Sequence, residues 1–319
     1  MTEQTKSRTF AGQKPAASAK ARAVPWRDWL PKLATPYLYV APALAIYAVF
    51  FLWPAFRLVL LSLRNWDGLG ESTFVGLDNY QRLIEDDTFW LAFRHNAGWM
   101  LAAMIVPVIM GLLLAILLSR SRLHGRVIFR TIYFMPQVIS SVVVAIIWTW
   151  IYNPSFGALN QFLEFVGLSF LQRGWLGDLD LALPSVFIAW SWVHYGFTMV
   201  IFIAALQNID EVYFDAAKVD GANHWQQFRH ILLPFIRGPL ATVILITAIS
   251  SFQVFDLVYI MTRGGPANAT MVLPILMLDN AFRYHNVGYG SAISVALGVF
   301  IVLMSVFFLK ANGIFEEVE

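Results

Sequence analysis

The stretch DAAKVDGANHWQQFRHILLP, residues 215–234, is polar although it lies between two strongly apolar segments of the chain. It carries several charged and amide side chains, with Gly221 in its first half and Pro234 at its end. Glycine and proline are the residues that most often end or redirect a helix. The pattern predicts a short helical hairpin that connects two apolar helices.

Capping residues define the two helices of this hairpin. Asp210 can cap a helix that begins at Glu211, because its carboxylate accepts backbone N–H groups that have no partner within the helix. Gly221 ends this helix, since glycine readily adopts the positive φ that a tight reversal needs. Asn223, followed three residues later by Gln226, is a variant of the capping box and starts the second helix.

The composition is that of a membrane protein. Hydrophobic residues make up 58% of the chain and charged residues only 13%, against about 25% charged residues in a typical soluble domain. Six apolar stretches reach the length of about 20 residues that a transmembrane helix needs: 37–62, 96–118, 131–152, 183–206, 238–260 and 291–309. The sequence predicts an all-α, polytopic membrane protein with six transmembrane helices and with the hairpin between spans 4 and 5.

Lysine and arginine are concentrated on one side of the predicted membrane. That side holds Lys6, Arg8, Lys14, Lys20, Arg22, Arg27, Lys32, Arg120, Arg122, Arg126, Arg130, Lys218, Arg229, Arg237 and Lys310. On the opposite side, the loop at 63–95 is net acidic. Because short cytoplasmic loops carry an excess of positive charge, we predict that both termini and the hairpin are cytoplasmic.

Three segments follow from this topology. Residues 1–36 are predicted to be a disordered basic cytoplasmic tail, residues 37–310 a six-span domain, and residues 311–319 a short cytoplasmic C-terminal tail. The first apolar run, 37–62, exceeds the 7–15 residues of a secretory signal core, so it is predicted to be a retained span. The basic tail is interpreted as an orientation signal or a contact with membrane lipid, with no role in nucleic-acid binding.

Two further patterns concern packing. Gly111, Ala115 and Ser119 recur every four residues in the second span and predict a ridge of small residues that lets a neighbouring helix approach closely. The segment LDNYQRLIEDDTFWLAF, residues 77–93, places Leu77, Tyr80, Leu83 and Ile84 on one helical face. It predicts a short amphipathic helix at the external surface. This helix could either act as a lid-like gate or simply pack onto the ends of the spans, and the sequence leaves both roles open.

The sequence lacks the motifs of several enzyme classes. It contains no G-x-x-x-x-G-K-[ST] phosphate loop, no H-E-x-x-H zinc motif and no G-x-S-x-G elbow. It has no cysteine, which excludes disulfides, thiolate metal sites and a cysteine nucleophile. We therefore predict that the chain is not an enzyme, that it has no catalytic residues or metal site, and that it binds no cofactor itself.

The hairpin resembles the EAA loop of the permease subunits of bacterial ABC importers. The resemblance rests on Asp215-Ala216-Ala217, then Gly221, then Ile231-x-Leu233-Pro234, in the last long cytoplasmic loop. The segments PYLYVAPAL, FVGLDNY (74–80), TRGGPANAT (262–270) and GYGSA (288–292) are similar to the carbohydrate branch, which includes the maltose and glycerol-3-phosphate permeases. Asp215 departs from the usual Glu, which keeps the charge but shortens its reach by one methylene.

This resemblance implies a transport mechanism with several partners. A second homologous permease subunit, two ATP-binding-cassette ATPase subunits and an extracytoplasmic sugar-binding protein would complete the importer in the bacterial cytoplasmic (inner) membrane, with ATP and Mg on the ATPases. The hairpin would dock onto an ATPase and transmit its motion. The residues implied in coupling are Asp215, Ala216, Ala217, Asp220, Gly221, Trp225, Phe228, Ile231, Leu233 and Pro234.

Polar groups inside spans are candidates for the substrate path, because they are costly in a membrane. Ser250, Ser251, Gln253 and Asp256 lie in span 5, with Gln253 and Asp256 on one helical face. Aromatic faces could come from Trp190, Trp192 and Tyr195 in span 4. Two alternatives are open: Asp256 is close enough to the end of its span to be simply hydrated, and the aromatic residues could serve packing alone.

Other transport classes remain possible at this point. Glycerol-3-phosphate or a related polyol phosphate is the alternative substrate to a di- or oligosaccharide, although no Lys or Arg lies well inside a span. A secondary carrier would usually show internal repeats or broken helices, and a channel subunit would need a ring of charge or a filter loop. The sequence shows none of these convincingly.

Overall fold

A computed structural model describes residues 29–120 and 125–312 of the chain. Its helices are α1 (Trp29–Tyr47), α2 (Trp53–Ser62), α3 (Asp78–Glu85), α4 (Asp87–Arg120), α5 (Arg126–Val138), α6 (Ser141–Ile151), α7 (Ala158–Phe165), α8 (Ala182–Gln207), α9 (Glu211–Val219), α10 (His224–Gln227), α11 (Leu233–Phe235), α12 (Arg237–Phe252), α13 (Asp256–Met261), α14 (Leu273–Leu278) and α15 (Val287–Ala311). Wider π-helical turns occupy Ala48–Leu52, Phe228–Leu232 and Asp279–Arg283, and a 3₁₀ turn occupies Ser169–Leu171. Two short strands, β1 (Arg64–Asn65) and β2 (Thr73–Phe74), pair antiparallel.

The described residues divide into two compact units, with the boundary between residues 55 and 56. In the first unit the helix begins at Trp29, within the tail predicted to be disordered to residue 36. Pro31 is compatible with this early start, because the first backbone N–H groups of a helix have no intrahelical partner. The side chains of residues 37–55 are all exposed. The predicted tail at 1–28 and the C-terminal residues 313–319 lie outside the described residues.

Within residues 29–120 and 125–312, five helical segments are long and apolar enough to cross a membrane, and the sharply bent pair α5 and α6 makes a sixth only if it is counted as one span. The five are Tyr37–Ser62, Asp87–Ser119, Ala182–Gln207, Arg237–Met261 and Val287–Ala311. The segment at 131–152, predicted as a span, is bent, because α5 and α6 meet at an angle of 97°. Ile139 and Ser140 are extended there, three residues after Pro136, which removes a backbone donor from the last turn of α5.

The predicted span at 238–260 is also interrupted. Helix α12 ends at Phe252 and α13 begins at Asp256. In a continuous helix, the Ser251 carbonyl would accept the N–H of residue 255. The side-chain amide of Asn96 in α4 occupies this carbonyl instead, with an Nδ2–O distance of 3.0 Å. The break therefore has a hydrogen-bond partner in a neighbouring helix.

The core of the second unit is centred on the close contact between α4 and α8. Gly111 is the tightest point, since a Cβ built there would lie 1.9 Å from Thr198 Oγ1 and 2.8 Å from the Met199 backbone nitrogen. Ala115, one turn further along, is fully buried. The predicted close approach at the small-residue ridge is thus confirmed at Gly111, and Ala115 is buried beside it.

The segment between the first two spans forms a junction with the start of α15. The buried amide of Asn79 donates to the carbonyls of Ser62 and Arg64, each at 2.9 Å. Gly288 leaves room for the same Arg64 carbonyl, which would lie 2.0 Å from an added Cβ. The Tyr289 hydroxyl donates to Asp86 Oδ2 at 2.6 Å. Segments 74–80 and 288–292, two of the segments that resemble the carbohydrate branch, are therefore in contact.

The amphipathic helix predicted over 77–93 is shorter than expected. It ends at Glu85, and the long helix α4 begins at Asp87. Its predicted apolar face is also divided: Leu83 is buried, whereas Leu77 and Ile84 are exposed. The buried amide of Asn79 fixes which side of the helix faces inward, and this side includes only part of the apolar face.

Candidate functional site

Both helices of the polar hairpin begin at the predicted caps. The Asp210 carboxylate accepts the Val212 N–H at 3.0 Å. The Asn223 side chain accepts the Gln226 N–H at 2.9 Å, and the Gln226 side chain accepts the Asn223 N–H at 2.8 Å. These bonds satisfy backbone donors that a helix start leaves free. The two predicted caps are confirmed.

The reversal between the helices depends on Gly221, which has a φ of 77°. Its N–H bonds to the Lys218 carbonyl at 3.1 Å, and the Ala222 N–H bonds to the Ala217 carbonyl at 2.8 Å. Together the two bonds form a Schellman motif, the common way to end a helix with a left-handed residue. A Cβ at Gly221 would meet nothing within 4 Å, so the position requires glycine for its backbone conformation and not for space.

The first hairpin helix and the start of the second offer a large exposed surface. Helix α9 has no buried residue, and Tyr213, Val219 and Trp225 are exposed apolar side chains. A depression of about 340 Å³ lies at the reversal. It is lined by Ala217, Asp220, Gly221, Ala222, Gln226, Gln227, His230 and Ile231. Four of the ten predicted coupling residues therefore share one concave surface.

The remaining predicted coupling residues do not line this depression. Asp215 is exposed and forms an ion pair with Lys218, with an Oδ1–Nζ distance of 2.8 Å. An exposed pair within one helix contributes little to stability. The Trp225 and Phe228 rings stack at 5.4 Å. Ala216 and Pro234 are exposed, and Leu233 is half-buried.

The second half of the hairpin is anchored in the core. Leu232, in the π-helical turn, and Ile236, just before α12, are 1% and 0% exposed. They belong to a buried cluster with Leu206 and Ile209 at the end of α8 and with Leu118 of α4. The hairpin is thus held by packing on one side and exposed on the other.

The predicted substrate-path residues in span 5 differ in how exposed their side chains are. Gln253 and Asp256 are exposed and lie on either side of the break between α12 and α13, so they do not share one continuous helix. Ser250 is half-buried. Ser251 is fully buried, and its hydroxyl donates to the Thr247 carbonyl at 2.7 Å. Of these four residues, only Gln253 and Asp256 are exposed in this conformation.

The predicted aromatic residues in α8 take part in packing. The Trp190 ring stacks on His194 at 4.4 Å, and His194 Nε2 lies 3.0 Å from Thr247 Oγ1. Trp192 makes an edge contact with Trp148 at 5.9 Å. Tyr195 is 7% exposed. Their role as sugar-binding surfaces stays a prediction.

Sequence reasoning missed Ser141, whose hydroxyl donates to Asp256 Oδ2 at 2.8 Å across 115 residues of chain. A polar residue within an apolar span was the available signal, but its partner depends on the helix breaks. It also missed Asn96, which accepts the Leu273 N–H at 2.8 Å in addition to binding Ser251.

The family of the chain follows from comparison with known proteins. Residues 107–316 match the family described as binding-protein-dependent transport system inner membrane component. This match contains the hairpin, the close contact at Gly111 and both helix breaks. The chain belongs to this family.

Full-length relatives and a solved structure agree with this assignment. The probable ABC transporter permease protein YurN of Bacillus subtilis is 36% identical over 86% of this chain and 94% of its own length. The trehalose/maltose transport system permease protein MalF of Thermococcus litoralis is 32% identical over 86% of this chain and 92% of its own length. A bacterial ABC transporter that imports the acidic polysaccharide alginate matches in fold, with a TM-score of 0.77, 22% identity and coverage of 90% of this chain and 96% of that chain.

As a binding-protein-dependent transport component, the permease is a transport subunit and not an enzyme. Family membership also decides between the transport classes that the sequence left open. The two helix breaks would have been compatible with a secondary carrier, but they occur here within an ABC permease fold.

Proposed function

We propose that the permease carries a di- or oligosaccharide across the cytoplasmic membrane of a bacterium, powered by ATPases on separate subunits. The assembly would contain a second homologous permease, two ATPases that hold ATP and Mg, and an extracytoplasmic sugar-binding protein. The sugar assignment is supported by the similarity to the trehalose/maltose permease MalF over most of both chains. The coupling assignment is supported above all by the hairpin, which is exposed on one side and packed into the core on the other.

The direct test is reconstitution. The permease should co-purify with the second permease and the ATPases, and liposomes containing this complex should take up sugar only with ATP inside and loaded binding protein outside. Uptake by the permease alone, or uptake that needs no ATP, would contradict the proposal.

In the proposed topology, the bent pair α5–α6 counts as one span, which gives six spans with both termini in the cytoplasm. The distribution of Lys and Arg supports this orientation. It places the hairpin on the same side as the ATPases. The junction of β1, β2 and α3 would then face outward, toward the binding protein.

This orientation predicts opposite labelling of two engineered cysteines. His224→Cys in the hairpin should be shielded from a membrane-impermeant thiol reagent in intact cells, and Glu71→Cys should be labelled, because both positions are exposed. The chain has no native cysteine, so the unsubstituted chain is the background control. Both cysteines should react after the cells are opened. Labelling of the hairpin position in sealed cells would reverse the topology.

We propose that Gln253 and Asp256 line the substrate path. Both are exposed at the break in span 5, and a charged group that faced lipid would be costly. Amide and carboxylate groups suit a sugar, because they can bond to hydroxyl groups on opposite sides of the ring. The helix break also frees backbone groups near Gln253 for polar contacts.

Gln253→Leu should therefore weaken transport without weakening the fold. Loss of the amide would leave a substrate hydroxyl unpaired, which typically costs about 1 to 3 kcal/mol, or roughly tenfold to a hundredfold in apparent affinity. Sugar uptake as a function of substrate concentration and thermal unfolding in detergent should be measured on the same preparations.

The matched control for stability is Asn96→Leu, which removes a fully buried amide with two hydrogen bonds and should lower the unfolding temperature. If Gln253→Leu behaves like this control, Gln253 has a packing role. If uptake and stability are both unchanged, Gln253 does not belong to the path.

A further inference from the structure

The two helix breaks of the permease meet at one polar contact. One break, at Ile139 and Ser140, separates α5 from α6, and the other separates α12 from α13. Ser141 and Asp256 are the first residues of α6 and α13, and their side chains are joined by the 2.8 Å hydrogen bond. Helices α6 and α13 also pack against each other. The contact therefore fixes one carboxylate at the point where both spans are interrupted.

This carboxylate has no compensating charge in the helices around it. Helices α6, α8 and α13 contain no Lys or Arg, and no Asp or Glu other than Asp256. The only other ionisable group with acid–base chemistry near neutral pH in these helices is His194, which bonds to Thr247 on α12. Within the part of the chain that the structure describes, Asp256 makes no ion pair.

The nearest arginines along the chain are Arg130, Arg237 and Arg263, and within the described residues none of them forms an ion pair with Asp256. Arg237 is at the opposite end of α12. Arg263 follows the end of α13, and its guanidinium carbon lies 5.9 Å from the centre of the Tyr259 ring. The Ser141 hydroxyl donates to the carboxylate but leaves its negative charge in place. The described residues therefore supply no ion pair that would neutralise the Asp256 carboxylate.

Asp256 is exposed although it lies within an apolar membrane span. An exposed carboxylate that faced lipid would cost several kcal/mol, so this side of α13 has to face water or another protein. The proposed substrate path supplies the water. In a partly desolvated path, a fixed charge acts on a passing ligand more strongly than it does in bulk solvent.

We propose that Asp256, held in place by Ser141, is a specificity-determining residue that discriminates against anionic ligands in the path. It favours neutral polyhydroxylated ligands and disfavours those that carry a phosphate or carboxylate group. This inference rests on the proposed path. It also separates this permease from an importer of acidic polysaccharide, such as the structural neighbour, whose path must tolerate negative charge.

The test measures the potential at this position without relying on transport. Gln253→Cys is placed in the assembled complex, with partner subunits free of cysteine, and is reacted with two methanethiosulfonate reagents of similar size. One carries a trimethylammonium group and the other a sulfonate group. The ratio of their rates is compared between the Asp256 and Asp256→Asn backgrounds. The two Cα atoms are at most about 11 Å apart, because the residues are three positions apart along the chain.

We expect the cationic reagent to be favoured and Asp256→Asn to lower the ratio roughly tenfold, as expected for one unit charge at this range in a medium between protein and water. Asp256→Glu should keep the ratio, and Asp256→Ser should lower it as Asp256→Asn does, which provides a second neutral variant if the first one is unstable. Phe170→Cys, an exposed position on another segment, should show the same ratio in every background.

Two outcomes would overturn the inference. If the ratio at position 253 does not respond to removal of the Asp256 charge, Asp256 does not set the local potential. If neither reagent reaches the cysteine in any state of the transport cycle, this side of α13 is sealed by a partner subunit. A path that does not include Gln253 would instead be revealed by unchanged uptake in Gln253→Leu, so the two failures can be distinguished.

Discussion

Gly221→Pro is expected to abolish coupled uptake while the permease still inserts into the membrane. Proline fixes φ near −65°, whereas the reversal needs a φ of 77°. It also removes the N–H that bonds to the Lys218 carbonyl. A cost of about 3 kcal/mol or more would reduce the population of the native hairpin angle at least a hundredfold. The spans are not involved in this turn and should remain intact.

Uptake, ATPase stimulation by loaded binding protein and subunit co-purification should be measured together for this variant. Gly221→Asn is the matched control, since asparagine tolerates the left-handed conformation better than other residues with a side chain. Because the space around Gly221 is open, Gly221→Asn should retain most of the activity. Normal coupling in Gly221→Pro, with normal assembly, would exclude the stiff-hairpin mechanism.

Gly111→Ala is expected to destabilise the permease by about 3 kcal/mol, the upper end of the usual cost of overpacking a core. The added methyl group would overlap with Thr198 Oγ1 and press against the Met199 backbone. The Thr198 hydroxyl cannot turn away freely, because its oxygen lies 2.9 Å from both the Pro107 and the Tyr195 carbonyl oxygens and its one proton is donated to these acceptors. Helices α4 and α8 would have to separate along their contact.

Gly98→Ala is the matched control on the same helix. A Cβ at Gly98 meets nothing within 4 Å, so this change should be neutral or slightly stabilising through better helix propensity. Thermal unfolding in detergent and expression level in the membrane should be compared for the two variants. If the two variants are equally stable, α4 and α8 do not pack as closely at Gly111 as they do in the structure.

The hairpin could be predicted from sequence because its determinants are local. Asp210, Gly221 and the pair Asn223 and Gln226 each act on backbone groups within five residues of themselves. The six apolar segments could be located for a similar reason, since hydropathy is summed along the chain. Helix ends and apolar spans can thus be predicted because residues close to each other in sequence determine them.

The helix breaks could not be predicted in the same way. The segment around Ile139 stays apolar on both sides of its 97° bend, and hydropathy does not report direction. The break after Phe252 depends on Asn96, which is 155 residues away from the Ser251 carbonyl that it binds. The contact of Ser141 with Asp256 exists only because both breaks are present. The candidate path therefore depends on tertiary structure, whereas the hairpin depends on local sequence.

The π-helical turn at Phe228–Leu232 links the hairpin to α12 through continuous helical backbone, with only a short irregularity at Ile236. A π turn contains one residue more than an α turn, and each residue of an α-helix corresponds to a rotation of about 100°. The number of residues in this turn therefore sets the azimuth of the hairpin about the axis of the fifth span. A one-residue deletion that restored a regular α turn would leave every helix cap intact. It would nevertheless rotate the exposed surface of α9 by about 100° about the axis of the fifth span.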